Sequence, residues 1–366
     1  MKYKIYQFSF GDGYAGSAKM AILSSVALSE SGNDVTLIVS KNSLTERRAK
    51  EKNIKTIEFD SAQKYSQLFE QILSDVKIDK PDFCITYHSL DRKIGNSLKS
   101  KLGKKITNVA YRQNMSKSIP IISSFIYNRY CDLTLACSKG VADDLIRSGL
   151  RKNKIKVIHN VTEFPDNLSV IDGALIRKQF DIADKFVLGI SSWFHKERKG
   201  FDILFKSFSK LEDTFVLMII GIPSEKQKEV IDYAATFGIT SDRLILPGFV
   251  DNIYEYYKAM NVFVLPSRSE GFSLALLEAA ATGLPIIASN IPGNNEFINH
   301  LQNGLLFEIK KPGALLESIK TLFNDKTLAY KLGKRASEDA LENYNLKNYG
   351  LRLTELLNEI YENHKK

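Results

Sequence analysis

From Lys4 onward, short apolar runs alternate with longer amphipathic stretches: KIYQFSF, GSAKMAILSSVALSESG, VTLIVS, IKTIEF, DFCITY, KITNVAY, LTLACS and KIKVIHN. Runs that are apolar at successive positions are buried on both faces, the pattern of parallel strands joined by helices. Residues 1–165 are therefore expected to form a doubly wound, Rossmann-like α/β domain. The stretch VTEFPDNLSVIDG loses periodicity and carries Pro and Gly, which marks a linker near residues 161–175.

The alternation restarts with FVLGISS, FVLMIIG, RLILPGF, VFVLPS and PIIAS. Residues 166–345 read as a second Rossmann-like α/β domain, and the chain is helical from Pro312 onward. The last helix, 346–366, is assigned to interdomain packing, crossing back to the first domain. A length of 366 residues is enough for two cores. Two such arrays imply parallel sheets facing across a cleft, with ligands at the carboxyl ends of the strands.

Composition excludes several classes. No apolar run reaches the roughly 18 residues of a membrane span, and MKYKIYQFSF turns polar and Gly-rich too early for a secretion signal, so a cytoplasmic protein is expected. Cys84, Cys131 and Cys137 lack CxxC spacing and read as reduced, structural thiols. The net charge of +9 is uneven: residues 1–165 hold 27 Lys and Arg against 16 Asp and Glu, and the remainder 24 against 26. The basic first half suits an anionic partner, or is a Lys-rich solvated surface. Asp91–Lys105 (DRKIGNSLKSKLGKK) and Ile121–Tyr130 (IISSFIYNRY) are the segments suited to an anionic membrane, with ordinary helices as the alternative. Nucleic acid is disfavoured, because no recognisable binding module accompanies the charge.

The stretch SRSEGFSLALLEAAATGLP follows the strand VFVLPS, so Glu270 falls in a loop and a helix begins at Ser273 or Leu274. Amides at a helix amino terminus are unpaired donors that favour an anion, making a phosphate seat. Glu278, inside that helix, suits two neighbouring hydroxyls, as a ribose diol offers. On spacing alone, a solvent-facing cap and a surface charge are equally open readings.

PSRSEGFSLALLEAAATGLPIIASNIPGNNEFI, followed by NGLLF, resembles the Glu-x7-Glu signature of family 4 of the GT-B glycosyltransferases. VADDLIRSG, KIKVIHN, RKGFDILFKSF and LPGFV extend the resemblance, which is weaker in the first half. It implies the GT-B fold and metal-independent, retaining sugar transfer from a nucleotide diphosphate sugar, a co-substrate, with no cofactor. It assigns Glu278 to the ribose and Glu270 to the transferred sugar. Gly271, Phe272, Ser273 and Leu274 fall to the diphosphate, Lys199 neutralises it, and Gly221 lies on the donor side. Phe249 and Val250 match the loop that holds the base. FGDGYAGSAK matches the glycine loop with Gly13, Tyr14, Gly16 and Lys19, not a dinucleotide fingerprint, because no acidic residue ends VTLIVSKN.

Two departures stand out. GISSWFHKERKG lacks the family's Gly-Arg, and Arg198 is the candidate second cation. VAYRQNM lacks the histidine that touches the sugar, and Arg112 or Asn114 takes its place. His88 and His195 are further candidates, each with a structural alternative. No Asp-x-Asp triplet occurs, so no metal is expected. The expected chemistry is a front-face route in which Glu270 is not a covalent nucleophile. A UDP-hexose donor and a glycan or lipid-linked acceptor in bacterial surface polysaccharide or lipopolysaccharide synthesis are favoured, on the inner face of the membrane. The alternatives are another GT-B activity, such as an epimerase or sugar phosphate synthase, and an idle partner protein.

Overall fold

The computed structural model describes residues 2–11, 16–115 and 121–365. The chain divides into two units, residues 1–163 with 344–366, and residues 164–343.

The first unit begins β1 (Lys4–Ser9), α1 (Gly16–Glu30), β2 (Asp34–Ser40), α2 (Leu44–Glu51), β3 (Lys55–Phe59), α3 (Tyr65–Asp79) and β4 (Phe83–Thr86). It continues α4 (Ser89–Leu102), β5 (Thr107–Arg112), α5 (Ile121–Tyr130), β6 (Leu133–Ala136), α6 (Lys139–Arg147) and β7 (Ile155–Val157). The second unit runs α7 (Ala174–Gln179), β8 (Phe186–Ser191), α8 (Phe201–Phe208), β9 (Phe215–Ile220), α9 (Ser224–Ala235), β10 (Leu244–Gly248) and α10 (Ile253–Ala259). There follow β11 (Val262–Leu265), α11 (Leu274–Ala281), β12 (Ile286–Ser289), β13 (Leu305–Phe307), α12 (Ala314–Asn324) and α13 (Lys326–Asn343). Finally α14 (Leu346–Lys365) belongs to the first unit.

The sheets are ordered β3-β2-β1-β4-β5-β6-β7 and β10-β9-β8-β11-β12-β13. Every paired neighbour is parallel. Each sheet thus carries the 3-2-1-4-5-6 order of a doubly wound fold, the first with one strand added. Two short elements have too little periodicity to stand out in the sequence: α7, which begins inside the expected linker, and the edge strand β13 within NGLLF.

Amphipathic spacing explains the helices. In α8, Phe201, Leu204, Phe205 and Phe208 recur at helical spacing and are buried in the second unit's core with Leu188 and Ile190 of β8. Helix α1 is buried on most of its surface, because it contacts both the sheet and α14. Along α14, Tyr349, Leu353 and Leu357 are fully buried. Gly350 permits that docking, since a Cβ there would meet the Ala27 carbonyl oxygen at 2.4 Å and Ser31 Oγ at 2.5 Å. Among the described residues no helix is long and apolar enough to cross a membrane.

Gly350→Leu should force α14 away from α1 and destabilise the first unit by about 1–3 kcal/mol, as overpacking does. A urea midpoint unchanged from wild type would contradict that packing.

Candidate functional site

In an open parallel sheet the crevice lies where the strand order reverses, outside the carboxyl ends of the strands that flank the reversal. In the second unit those strands are β8 and β11, which pair through Leu188–Val262 and Gly189–Phe263. The loop after β8 carries Lys199 and the loop after β11 carries Glu270.

The two side chains meet. Lys199 Nζ donates to Glu270 Oε1 at 2.7 Å, and Ser267 Oγ donates to the same oxygen at 2.5 Å. Glu270 is 8% exposed, so it is a buried carboxylate with a cation and a hydroxyl, and not a solvent-facing cap. A turn delivers Lys199: its amide donates to the His195 carbonyl (3.0 Å), Gly200 N–H to Glu197 (3.1 Å) and Phe201 N–H to Lys196 (3.0 Å). Gly200 has φ +70°, and a Cβ there would sit 2.0 Å from the Pro266 carbonyl oxygen. Only glycine lets the two loops approach this closely.

Arg268, which the sequence reading did not single out, staples the loops from outside. Its Nη1 and Nη2 donate to Asp202 Oδ1 and Oδ2, each at 2.6 Å, and Nη1 also donates to the Glu197 carbonyl at 2.8 Å. Its amide donates to the Arg198 carbonyl at 2.8 Å. Burial pushes the Asp202 carboxyl up, but the Arg268 hydrogen bond and charge outweigh it, and the net is below the ordinary value.

Helix α11 starts beside this pair. Ser273 caps it, its Oγ accepting from Leu276 N–H at 3.3 Å. The amides of Gly271, Ser273 and Leu274 have no acceptor in the structure among the described residues. They are donors at a helix amino terminus beside a lysine, an arrangement that binds anions. Phe272, between them, is buried. Glu278 is 6% exposed and accepts from the Tyr257 hydroxyl at 3.2 Å. Burial and then the Glu278 charge hold the Tyr257 phenol well above its usual range, so it stays a donor. Ser191, at the end of β8, is the other polar neighbour of that hydroxyl. Glu270 is thus paired with a cation, and Glu278 accepts from a phenol.

The remaining candidates of this unit are on the same strand ends. Phe249 is exposed and Val250 half-buried after β10. Gly221 follows β9, but its N–H donates to the Gly248 carbonyl at 2.8 Å and is therefore not a free donor for a ligand. Arg198 is exposed on the lysine turn, and the exposed His195 accepts the Arg198 N–H through Nδ1 at 3.3 Å.

The first unit repeats the geometry at β1 and β4. His88 precedes α4, its Nε2 lying 2.8 Å from Ser17 Oγ and its Nδ1 3.0 Å from Asp91 Oδ2. Asp91 is fully buried and also accepts the amides of Phe10 (3.1 Å), Tyr87 (3.2 Å) and His88 (2.7 Å). His88 thus bridges Ser17 and Asp91 through its two ring nitrogens. Gly13 and Tyr14 lie outside the described residues. Gly16 is exposed at the start of α1, and Lys19 is half-buried on it. Arg112, buried at the end of β5, donates to the Tyr127 hydroxyl at 3.2 Å, whereas Asn114 is exposed in the loop that follows. Among the described residues no cluster of His, Cys, Asp or Glu is placed to hold a metal ion.

The family model for glycosyl transferases group 1 matches residues 174–339. Over 143 residues, 39% of this chain and 39% of the relative, the sequence is 34% identical to an Escherichia coli O-antigen biosynthesis glycosyltransferase, WclY. Over 201 residues, 53% of this chain and 52% of the relative, it is 32% identical to the Campylobacter jejuni N,N'-diacetylbacillosaminyl-diphospho-undecaprenol alpha-1,3-N-acetylgalactosaminyltransferase. The chain thus spans about half the length of these curated relatives or less. The crystal structure of Anabaena HepE in complex with UDP and glucose superposes with a TM-score of 0.84, covering 98% of this chain and 100% of that one at 18% identity, which shows a shared fold.

The Asp202 carboxyl is more acidic in the folded state, its pKa lying below the ordinary 3.8, so its pair with Arg268 stabilises the protein above pH 3.8 and is lost as pH falls through the lower folded value. Asp202→Asn lacks that contribution from the start. Its urea midpoint should lie below wild type at pH 7, with the gap closing below pH 3.8; a gap independent of pH would contradict the pairing. Gly200→Ala should disrupt the approach of the two loops and destabilise by about 1–3 kcal/mol, read as a lowered melting temperature.

Proposed function

We propose that the chain, whose residues 174–339 match the glycosyl transferases group 1 model and which has the GT-B fold, is a retaining glycosyltransferase using a UDP-hexose donor. The observation that carries this reading is the buried Lys199–Glu270 pair at the strand-order reversal, beside the amides that open α11. The diphosphate is assigned to the amides of Gly271, Ser273 and Leu274 and to Lys199, with Arg198 as a second cation. Glu278 is assigned to the ribose hydroxyls and Glu270 to those of the transferred sugar. The UDP complex of HepE supports the choice of base.

Negative charge accumulates on the nucleoside diphosphate as the bond from C1 to its phosphate oxygen breaks. A cation and amides already in place stabilise that charge without reorganisation. The acceptor hydroxyl bonds to C1 on the face from which the phosphate leaves, and the phosphate takes the hydroxyl proton. No protein nucleophile enters this route, and Glu270 positions the sugar. In the first unit Arg112 or Asn114 is assigned to the transferred sugar, with His88 as a further candidate.

A glycan or lipid-linked acceptor in bacterial surface polysaccharide or lipopolysaccharide synthesis is supported by the O-antigen and diphospho-undecaprenol relatives. Phe125 is 68% exposed on α5 beside exposed Ile126 and Arg129. Lys93 and Lys101 on α4, with Lys104 and Lys105 after it, are also exposed, giving basic and apolar contacts for an anionic membrane.

Wild type should release UDP slowly from the correct UDP-sugar without acceptor. Lys199→Ala should lower kcat about 10²–10³-fold, as loss of a charge-stabilising donor does. Glu278→Ala should raise KM about 10-fold or more, the cost of losing a charged hydrogen bond. Rates unchanged in both variants, or a glycosyl adduct on Glu270 by intact mass, would overturn the reading. Wild type should float with phosphatidylglycerol vesicles more than with neutral ones, and Phe125→Ser should reduce that flotation.

A further inference from the structure

Two large aromatic side chains stand in water at the carboxyl edge of the second sheet. Trp193 is 53% and Phe249 63% exposed, yet their ring centroids are 5.5 Å apart with planes at 63°, an edge-on contact. Trp193 follows β8 and Phe249 follows β10. Between these strands β9 is followed by Gly221, which offers no side chain, so the rings meet across that strand end. Ser192 N–H donates to the Ile220 carbonyl at 2.9 Å and Gly221 N–H to Gly248 at 2.8 Å, which fixes the three strand ends together. Exposed aromatics held on a rigid sheet edge mark a surface that gains by being covered.

The neighbouring groups say what covers it. Two residues before Trp193, Ser191 is a neighbour of the Tyr257 hydroxyl that holds Glu278. Six residues after it, Lys199 is paired with Glu270 beside the α11 amides. A ligand with a diol and a diphosphate on those groups has one flat, apolar part left, its base. The rings are too close to admit a base between them. We propose that the nucleobase stacks on the open face of the Trp193 indole while Phe249 holds that ring edge-on from the other side. Trp193 is then a specificity-determining residue of the donor site. The inference rests on the nucleotide-sugar reading above.

Trp193 is the single tryptophan of the chain, so its emission reports this site alone. Calorimetric titration of wild type with UDP, ADP and GDP, run beside tryptophan fluorescence, should give for the preferred nucleotide a saturable emission change with the calorimetric midpoint. Trp193→Ala should weaken that nucleotide about 5–100-fold, the range for loss of one base–aromatic stack. Trp193→Phe should recover most of the affinity, and Phe249→Ala should weaken it less. Pyrophosphate, which has no base, should bind wild type and Trp193→Ala alike. Equal nucleotide affinity in wild type and Trp193→Ala with unchanged emission would overturn the stacking and leave the donor reading standing. Failure of all three nucleotides to bind wild type would overturn both.

Discussion

A carboxylate taken out of water stays charged only if a cation or several donors meet it, and Glu270 is held by that requirement. Its cation comes from 71 positions away, on the loop of another strand. The two loops touch because β8 and β11 are neighbours where the strand order reverses, and because Gly200 has no side chain to strike Pro266. Arg268 and Asp202 close the same junction from its outer side. The ion pair is therefore a structural tie and a poised charge at once. Lys199 is pinned next to the donors of a helix amino terminus before any anion arrives.

That arrangement separates the roles of two residues that look alike in the chain. One oxygen of Glu270 accepts from both Lys199 and Ser267. Glu278, one helix turn deeper, faces a phenol that burial keeps protonated. Two carboxylates of one motif are thus held by different hydrogen-bond donors.

The first unit uses the same topology for a different local chemistry. At its reversal, between β1 and β4, a buried Asp91 fixes His88, and His88 fixes Ser17 at the start of α1. This line of hydrogen bonds anchors the helix that follows the glycine loop to the opposite strand. α14 then covers α1 from outside, so the chain's last helix stabilises its first strand and helix. Carboxyl ends of β1, β4, β8 and β11 carry most of the polar side chains that the sequence alone has no reason to bring together.

Local patterns were sufficient for much of this protein. Runs such as FVLMII and FVLGIS are apolar at every position, which only a doubly covered parallel strand accommodates, and the Phe201–Phe208 spacing makes one helical face. The Glu270–Glu278 frame, the strand before it and the Ser273 cap are contiguous, so the capped start of α11 was legible too. What tertiary structure alone decided is which distant residues meet: Lys199 with Glu270, Arg268 with Asp202, Tyr257 with Glu278, Trp193 with Phe249. Short elements such as β13 and α7 were equally silent, having too few residues for a period. The physical reason is common to both: periodicity records which face of a segment is buried, whereas a pairing depends on strand order and loop approach, which no segment encodes by itself.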